Sequence, residues 1–427
     1  MGTEAESAVA ALAAALKDED VSVRSSAVWS LQRLGPLSAS AVPRLAEALE
    51  DEDPGVREMA LSTLSQIGHG DAEVARAILE SVRRETNRSA GSTGALRGQE
   101  RLLRDTAQAL GRSDPTAVAV LVRALGDDDS RVRWVGVYAL GTMGRPSAKD
   151  AVPALTEALS DRSRYVAQWA AHALAQIGPP AKAALPRLTE ALAHEDALLR
   201  VRAAEAIWRI DPQGGIAVVP VLIDVLLGKE EGNHGGVQQM PPGARETNSP
   251  HDEKPELDMI DQIQPIVEGE TALAADILGR MGPVAVPALI ELLNHRERGV
   301  RYWATRSLAS IGADASAAVP ALLGRLEDED PNIRIGAAMA LVRIDREEAG
   351  GRGIKYLIDT LKNPRDLRSR IEAASALNEI SPLPEEAVRA LREAAQDGGG
   401  PLAKAAGEAL KKVDRTMHPS ATTGSRP

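Results

Sequence analysis

Six Asp–Arg pairs stand four residues apart along this 427-residue chain: Asp20/Arg24, Asp53/Arg57, Asp129/Arg133, Asp196/Arg200, Asp330/Arg334 and Asp366/Arg370. On a helix, residues four apart share one face, so each pair could be an acid–base couple or one rung of a repeated cation site. Catalysis asks for a group whose surroundings set it apart, and these six are alike. The spacing predicts structure instead: Asp caps a helix N-terminus, and Arg pairs with it or with the Asp of the neighbouring unit. The acidic runs "KDED" (17), "EDED" (50) and "GDDD" (126) lack the turn glycine and closing glutamate of a helix-loop-helix calcium site. They read as solvated acids near helix N-termini.

The absence of cysteine excludes disulfides, thiolate metal sites and a cysteine nucleophile. His194 is the single histidine followed by Glu, at Glu195, and it falls in an interhelix turn. His234 and His251 share a polar stretch rich in Gly and Pro. Two histidines with no anchoring ligand do not make a metal site. No catalytic residue, metal or cofactor is expected from this inventory.

The aromatic residues carry more information. There is no Phe, and Trp and Tyr together make 2% of the chain. Aligning the "VR…L" segments on a shared Leu (Leu31, Leu64, Leu110, Leu140, Leu174, Ile207, Leu278, Leu308, Leu341, Leu377) puts small residues in one column: Ala27, Ala60, Ala170, Ala203, Ala274, Ala304, Ala337 and Ala373. That column belongs to the core. Large and varied residues collect on the opposite face: Trp134 and Tyr138; Tyr165, Gln168, Trp169 and His172; Arg202, Glu205 and Trp208; Asp276 and Arg280; Tyr302, Trp303 and Arg306. Seven of the nine aromatic residues fall there, within five consecutive units. Aromatic rings beside Arg are what protein and peptide interfaces use as anchors. Trp169 and Trp303 share one column and could equally cover the adjoining unit. His172, Glu205 and Asp276 also share a column and could hold a ligand or metal between them.

The elements that position these residues repeat every 33 to 35 positions. "AVPRLAEAL" (41), "AVPALTEAL" (151), "ALPRLTEAL" (184), "VVPVLIDVL" (218), "AVPALIELL" (285) and "AVPALLGRL" (318) each predict an amphipathic helix. Pro43, Pro153, Pro186, Pro220, Pro287 and Pro320 then sit in the first turn, where a missing N–H costs nothing. An acidic turn follows, then a second helix such as "VREMALSTLSQIG" (56) or "VRYWATRSLASIG" (300). Asp53-Pro54 and Asp330-Pro331 read as N-cap and N1; Gly35, Gly68, Gly144, Gly178, Gly282 and Gly312 read as C-caps. About eleven such hairpins, the first starting near residue 5, make residues 1–414 one all-α solenoid, with insertions at 86–98 and 229–264 and a disordered tail at 415–427. Both insertions fall between first and second helix, on one rim, and 229–264 is long enough to reach across several repeats as a lid.

The Pro of the first helix, the acidic turn, the opening Val-Arg and the terminal Leu-x-x-Ile-Gly together resemble the HEAT repeat family, in particular the bacterial HEAT-like repeats named after phycobilisome lyases. The resemblance implies a superhelix whose second helices line the concave wall, and it makes the aromatic set a binding groove. Several functions are carried by such repeats. A non-catalytic scaffold or adaptor gripping a protein or peptide segment is the reading favoured here. The bilin lyases imply an alternative, a tetrapyrrole held against aromatic rings. The helical-repeat alkylpurine DNA glycosylases imply another, which the net charge of -11 argues against. Deoxyhypusine hydroxylase resembles this fold too, but it binds iron through several His-Glu pairs.

The N-terminus "MGTEAESAVAALAAALKDED" has acids where a secretory signal is basic, and its apolar run breaks at Lys17. No other run approaches the roughly 18 apolar residues of a membrane span. The expectation is a soluble cytoplasmic protein with no membrane segment.

Overall fold

The computed structural model describes residues 2–67, 72–88, 96–144, 147–228, 269–396 and 399–417. Its described residues form 22 α-helices paired into eleven hairpins, and no strand is present among them. Stacked hairpins of this kind make an α-solenoid. The chain divides into two compact units, with the division inside the helix Val219–Leu226.

Unit 1 holds the first six hairpins, and unit 2 runs from the seventh, with second helix Glu270–Met281, to the eleventh. Within each unit, consecutive second helices pack directly on one another. The alanine column makes this approach close: Ala60, Ala170, Ala203, Ala274, Ala304, Ala337 and Ala373 are wholly buried. Small side chains let helix backbones come together where larger ones would hold them apart. In the fourth hairpin this column is filled by Gly136, where an added Cβ would stand 2.8 Å from Leu125 Cδ1 and 3.2 Å from the Leu121 carbonyl oxygen. Even alanine is too large there. Beside the column Leu31, Leu140, Leu174 and Leu308 are fully buried.

First helices are shorter than their sequence pattern suggests. A 3-10 segment such as Pro179–Ala184 precedes the α-helix Leu185–Ala191, with its proline at the start of the α-helix as expected. Four second helices begin on aspartate caps of the same form: the carboxylates of Asp20, Asp129, Asp196 and Asp330 accept from the amides of Ser22, Arg131, Leu199 and Asn332. Some second helices end at Asp211 or Asp345 with φ negative, while five end where the chain turns left-handed, as at Gly178 (φ 67) and Gly312 (φ 70). A β-carbon is disfavoured in that region, which is why glycine stands there.

Two of the six Asp–Arg pairs, and Arg301 beside them, resolve in favour of the neighbouring hairpin, whereas Arg334 meets the Tyr356 hydroxyl and Arg370 the Leu361 carbonyl. Arg24 grips Asp51 with Nε at 2.7 Å and Nη2 at 2.9 Å. Arg133 does the same to Asp161, both at 2.8 Å, and Arg301 to Asp328 at 2.9 and 3.0 Å. The remaining nitrogen of each Arg closes its own turn, as Arg133 Nη1 does on the carbonyls of Asp127 and Asp128. One buried guanidinium thus staples two successive hairpins. Burial alone would raise Asp51 and Asp328, but the bonds from Arg24 and Arg301, with those from backbone amides, outweigh it and hold both acids below their ordinary range.

Three sequence expectations need adjustment. Residues 86–88 and 96–98 belong to helices, so the first insertion narrows to 89–95, outside the described residues. The tail begins after helix Pro401–Met417, and 418–427, Gly68, His234, His251 and all of 229–264 lie outside the described residues. The stretches Glu270–Leu292 and Arg298–Arg325 are long and apolar enough to cross a membrane by length and composition. Arg280 and Arg306, with small residues, interrupt the apolar runs in them. Each is broken at a left-handed glycine, Gly282 or Gly312, into helices of adjoining hairpins.

Candidate functional site

Three second helices of unit 1 carry the first group of predicted residues: Ser130–Met143, Arg164–Ile177 and Ala197–Ile210. Trp134 and Tyr138 are one turn apart on the first, their ring centroids 5.1 Å from each other. Trp169 of the next helix meets both, at 4.4 Å from Tyr138 and edge-on at 6.0 Å from Trp134. His172 continues the row, its ring 5.1 Å from Trp169 and perpendicular to it. Edge-to-face pairs at these distances gain from the opposed charge of ring edge and face.

Burial grades along the row. Trp134 is 6% exposed and its indole N–H has no acceptor; Tyr138, Trp169 and His172 are half-buried. Trp134 therefore backs the cluster, and the other three rings present its surface. Tyr165 is also buried, under the Arg164 guanidinium at 5.0 Å. Gln168 turns away to hold both oxygens of Asp196, at 3.0 and 2.9 Å.

A polar row extends the rings onto the third helix. Arg202 Nη1 lies 3.1 Å from His172 Nδ1, and the other ring nitrogen is 3.2 Å from the Gln176 amide. Arginine can only donate, so Nδ1 accepts, the ring proton sits on Nε2, and the Gln176 amide must turn its oxygen to meet it. Glu205, 3% exposed, lies between Arg202 at 3.3 Å and Arg209 at 3.4 Å. Trp208 is half-buried on the same helix. The chain crosses its backbone at Gly215, where a Cβ would stand 2.6 Å from Trp208 Cα.

Unit 2 carries the second group. Tyr302 is 37% exposed and meets half-buried Trp303 edge-on at 5.1 Å. Arg306 lies over Trp303 at 5.5 Å, and exposed Asp276 and Arg280 form an ion pair at 3.1 Å. Of the column His172, Glu205 and Asp276, His172 and Glu205 both engage Arg202, and no group of three candidate ligands exists among the described residues. His194 serves its turn, Nδ1 accepting from the Asp196 amide.

One exposed aromatic was missed. Trp29 is 52% exposed, with Arg33 over its ring at 4.9 Å. It stands two residues before Leu31, the column that supplies Tyr138 and His172, so the signal was in the alignment.

Two family profiles agree with this architecture. The family profile described as HEAT repeats matches residues 8–97, 152–233, 271–330 and 319–411, and that of the PBS lyase HEAT-like repeat matches 132–161. No curated protein matches the chain. Among solved structures, an importin beta crystallised in ammonium sulfate is 15% identical, with a TM-score of 0.49, covering 95% of this chain and 61% of that one. The karyopherin Kap121p bound to the extreme C-terminus of the phosphatase Cdc14p is 14% identical, TM-score 0.44, covering 96% and 46%. An engineered protein is 21% identical, TM-score 0.34, covering 95% and 99%. With profile matches over well over half of its residues, the chain belongs to the HEAT repeat family.

Proposed function

We propose that this chain is a non-catalytic scaffold that binds a protein or peptide segment across its second-helix faces. The observation that carries the reading is the half-buried surface of Tyr138, Trp169 and His172, continued by Arg202, in a chain otherwise almost free of aromatics. Such a surface offers rings that are already immobilised, so a partner covers apolar area with little further loss of side-chain freedom. A hydrogen-bonding edge beside the rings fixes register.

The test is affinity capture with purified wild type and with a His172→Ala, Tyr302→Ala double variant of unchanged circular dichroism and melting. A defined partner held by the wild type, at least tenfold more weakly by the variant, supports the reading. Equal retention by both contradicts it.

A further inference from the structure

We propose that the eleventh hairpin carries a binding site for a small aliphatic monocarboxylate, in a cavity of about 430 Å³ between the helices Glu385–Ala395 and Pro401–Met417. Two helix faces build it. Glu385, Val388, Arg389 and Arg392 recur at the three- and four-residue spacing that places them on one face of the first helix. Ala409, Lys412 and Val413 do the same on the second. The connection from the preceding helix, through Ile380 and Leu383, closes the end.

The lining divides by chemistry. Ile380 and Ala409 are buried, and Leu383, Val388 and Val413 are half-buried, so the interior is hydrocarbon. Arg389, Arg392 and Lys412 are exposed, which sets their charges toward the mouth while their stems line the wall. Lys412 Nζ donates to the Asn378 carbonyl at 2.9 Å, which holds the ammonium beside the connection. Neither Arg389 nor Arg392 has an ion-pair partner among the described residues. Against these three cations the described lining has one acid, Glu385, in a chain whose net charge is -11. A local surplus of positive charge on an acidic protein is where an anion is drawn.

An apolar interior with guanidinium groups at its mouth fits a molecule with a hydrocarbon tail and one anionic head. A carboxylate matches the fork of an arginine, and Glu385 repels a doubly charged head more than a singly charged one. The volume falls within the range of about 300–1,000 Å³ typical of small-ligand sites and is ample for octanoate. No residue of this cavity belongs to the ring faces proposed above to bind a protein segment, so either proposal can fail alone.

The test is isothermal titration calorimetry of the full chain with octanoate, hexanoate and 1-octanol, with valine and leucine methyl resonances locating the bound molecule. Three proteins are compared: the wild type, an Arg389→Gln, Arg392→Gln variant, and a Lys404→Gln, Lys411→Gln variant whose exposed changes lie outside the lining. The expected result is one-site binding of octanoate, with hexanoate about tenfold weaker for its two missing methylenes. Octanol should bind the wild type at least tenfold more weakly, as should octanoate the arginine variant, while the lysine variant keeps wild-type affinity and the Val388 and Val413 methyls shift. If the arginine variant does not fold, the contrast of octanoate with octanol and the methyl shifts in the wild type decide alone. Absence of saturable octanoate binding, equal binding of octanol, equal loss in both variants, or methyl shifts confined elsewhere overturns the proposal. Tighter binding of an acetylated tripeptide ending in leucine than of octanoate overturns it too, since the site would then serve a peptide C-terminus rather than a free acid.

Discussion

Arg133 reaches across to Asp161 of the next hairpin with two parallel hydrogen bonds of 2.8 Å, while its third nitrogen closes the turn that precedes its own helix. Both side chains are nearly withdrawn from solvent, so removing either partner strands the other. Arg133→Ala and Asp161→Asn should each destabilise unit 1 by about 3 kcal/mol in urea unfolding. Arg133→Lys should recover little of this, because an ammonium cannot present a fork.

The same staples predict the acid limb of stability. Asp51 and Asp328 are held below their ordinary range in the folded chain. A carboxylate lowered on folding contributes stability that is fully present above its unfolded value of about 4 and is lost as pH falls through the folded value. The melting temperature should therefore hold steady from pH 7 to about 5 and drop below about 4. In Asp328→Asn the protein should melt lower at neutral pH and show a shallower drop; an acid limb as steep as the wild type's would remove Asp328 from the account.

The alanine column sets the spacing of the helix layer. Ala170→Leu and Ala304→Leu insert side chains where no exposed surface exists and should each cost about 1–3 kcal/mol. Gly136→Ala should destabilise as well, since its Cβ meets a carbonyl oxygen at 3.2 Å that cannot swing aside. Urea unfolding of the three variants measures this, and wild-type midpoints would show the helices can part freely.

The rings differ in what they do for the fold. Trp169→Ala removes contacts to Trp134, Tyr138 and His172 and should cost about 2–3 kcal/mol, with loss of near-ultraviolet circular dichroism. Tyr302→Ala, at an exposed position, should change stability by less than about 0.5 kcal/mol. A large effect at Tyr302 would make it packing rather than surface.

Much of this fold is legible because most hairpins repeat part of one punctuation: proline at the first helix, aspartate at the second, glycine at the end. Where the sequence was ambiguous, the cause was depth and distance. Arg133 has an acid four residues before it and another 28 after it, and only the stacking of hairpins selects Asp161. Trp134 and Tyr138 share a face and read alike, yet Trp134 is buried because Trp169 of the next helix closes over it. Gly136 lies in the alanine column, but nothing in one sequence shows how near Leu125 comes. Trp29 occupies a ring column and stands exposed; its isolation from the other rings along the chain concealed it.

The most direct test of the scaffold reading is site-resolved crosslinking. A photoreactive p-benzoylphenylalanine is placed at His172, on the ring face, or at exposed Thr189 on a first helix. Each protein is irradiated with the captured partner. The account predicts a crosslinked product from position 172, competed by unlabelled wild type, and none from 189. Crosslinking at 189 with none at 172 would move binding to the first-helix surface and reduce the rings to packing.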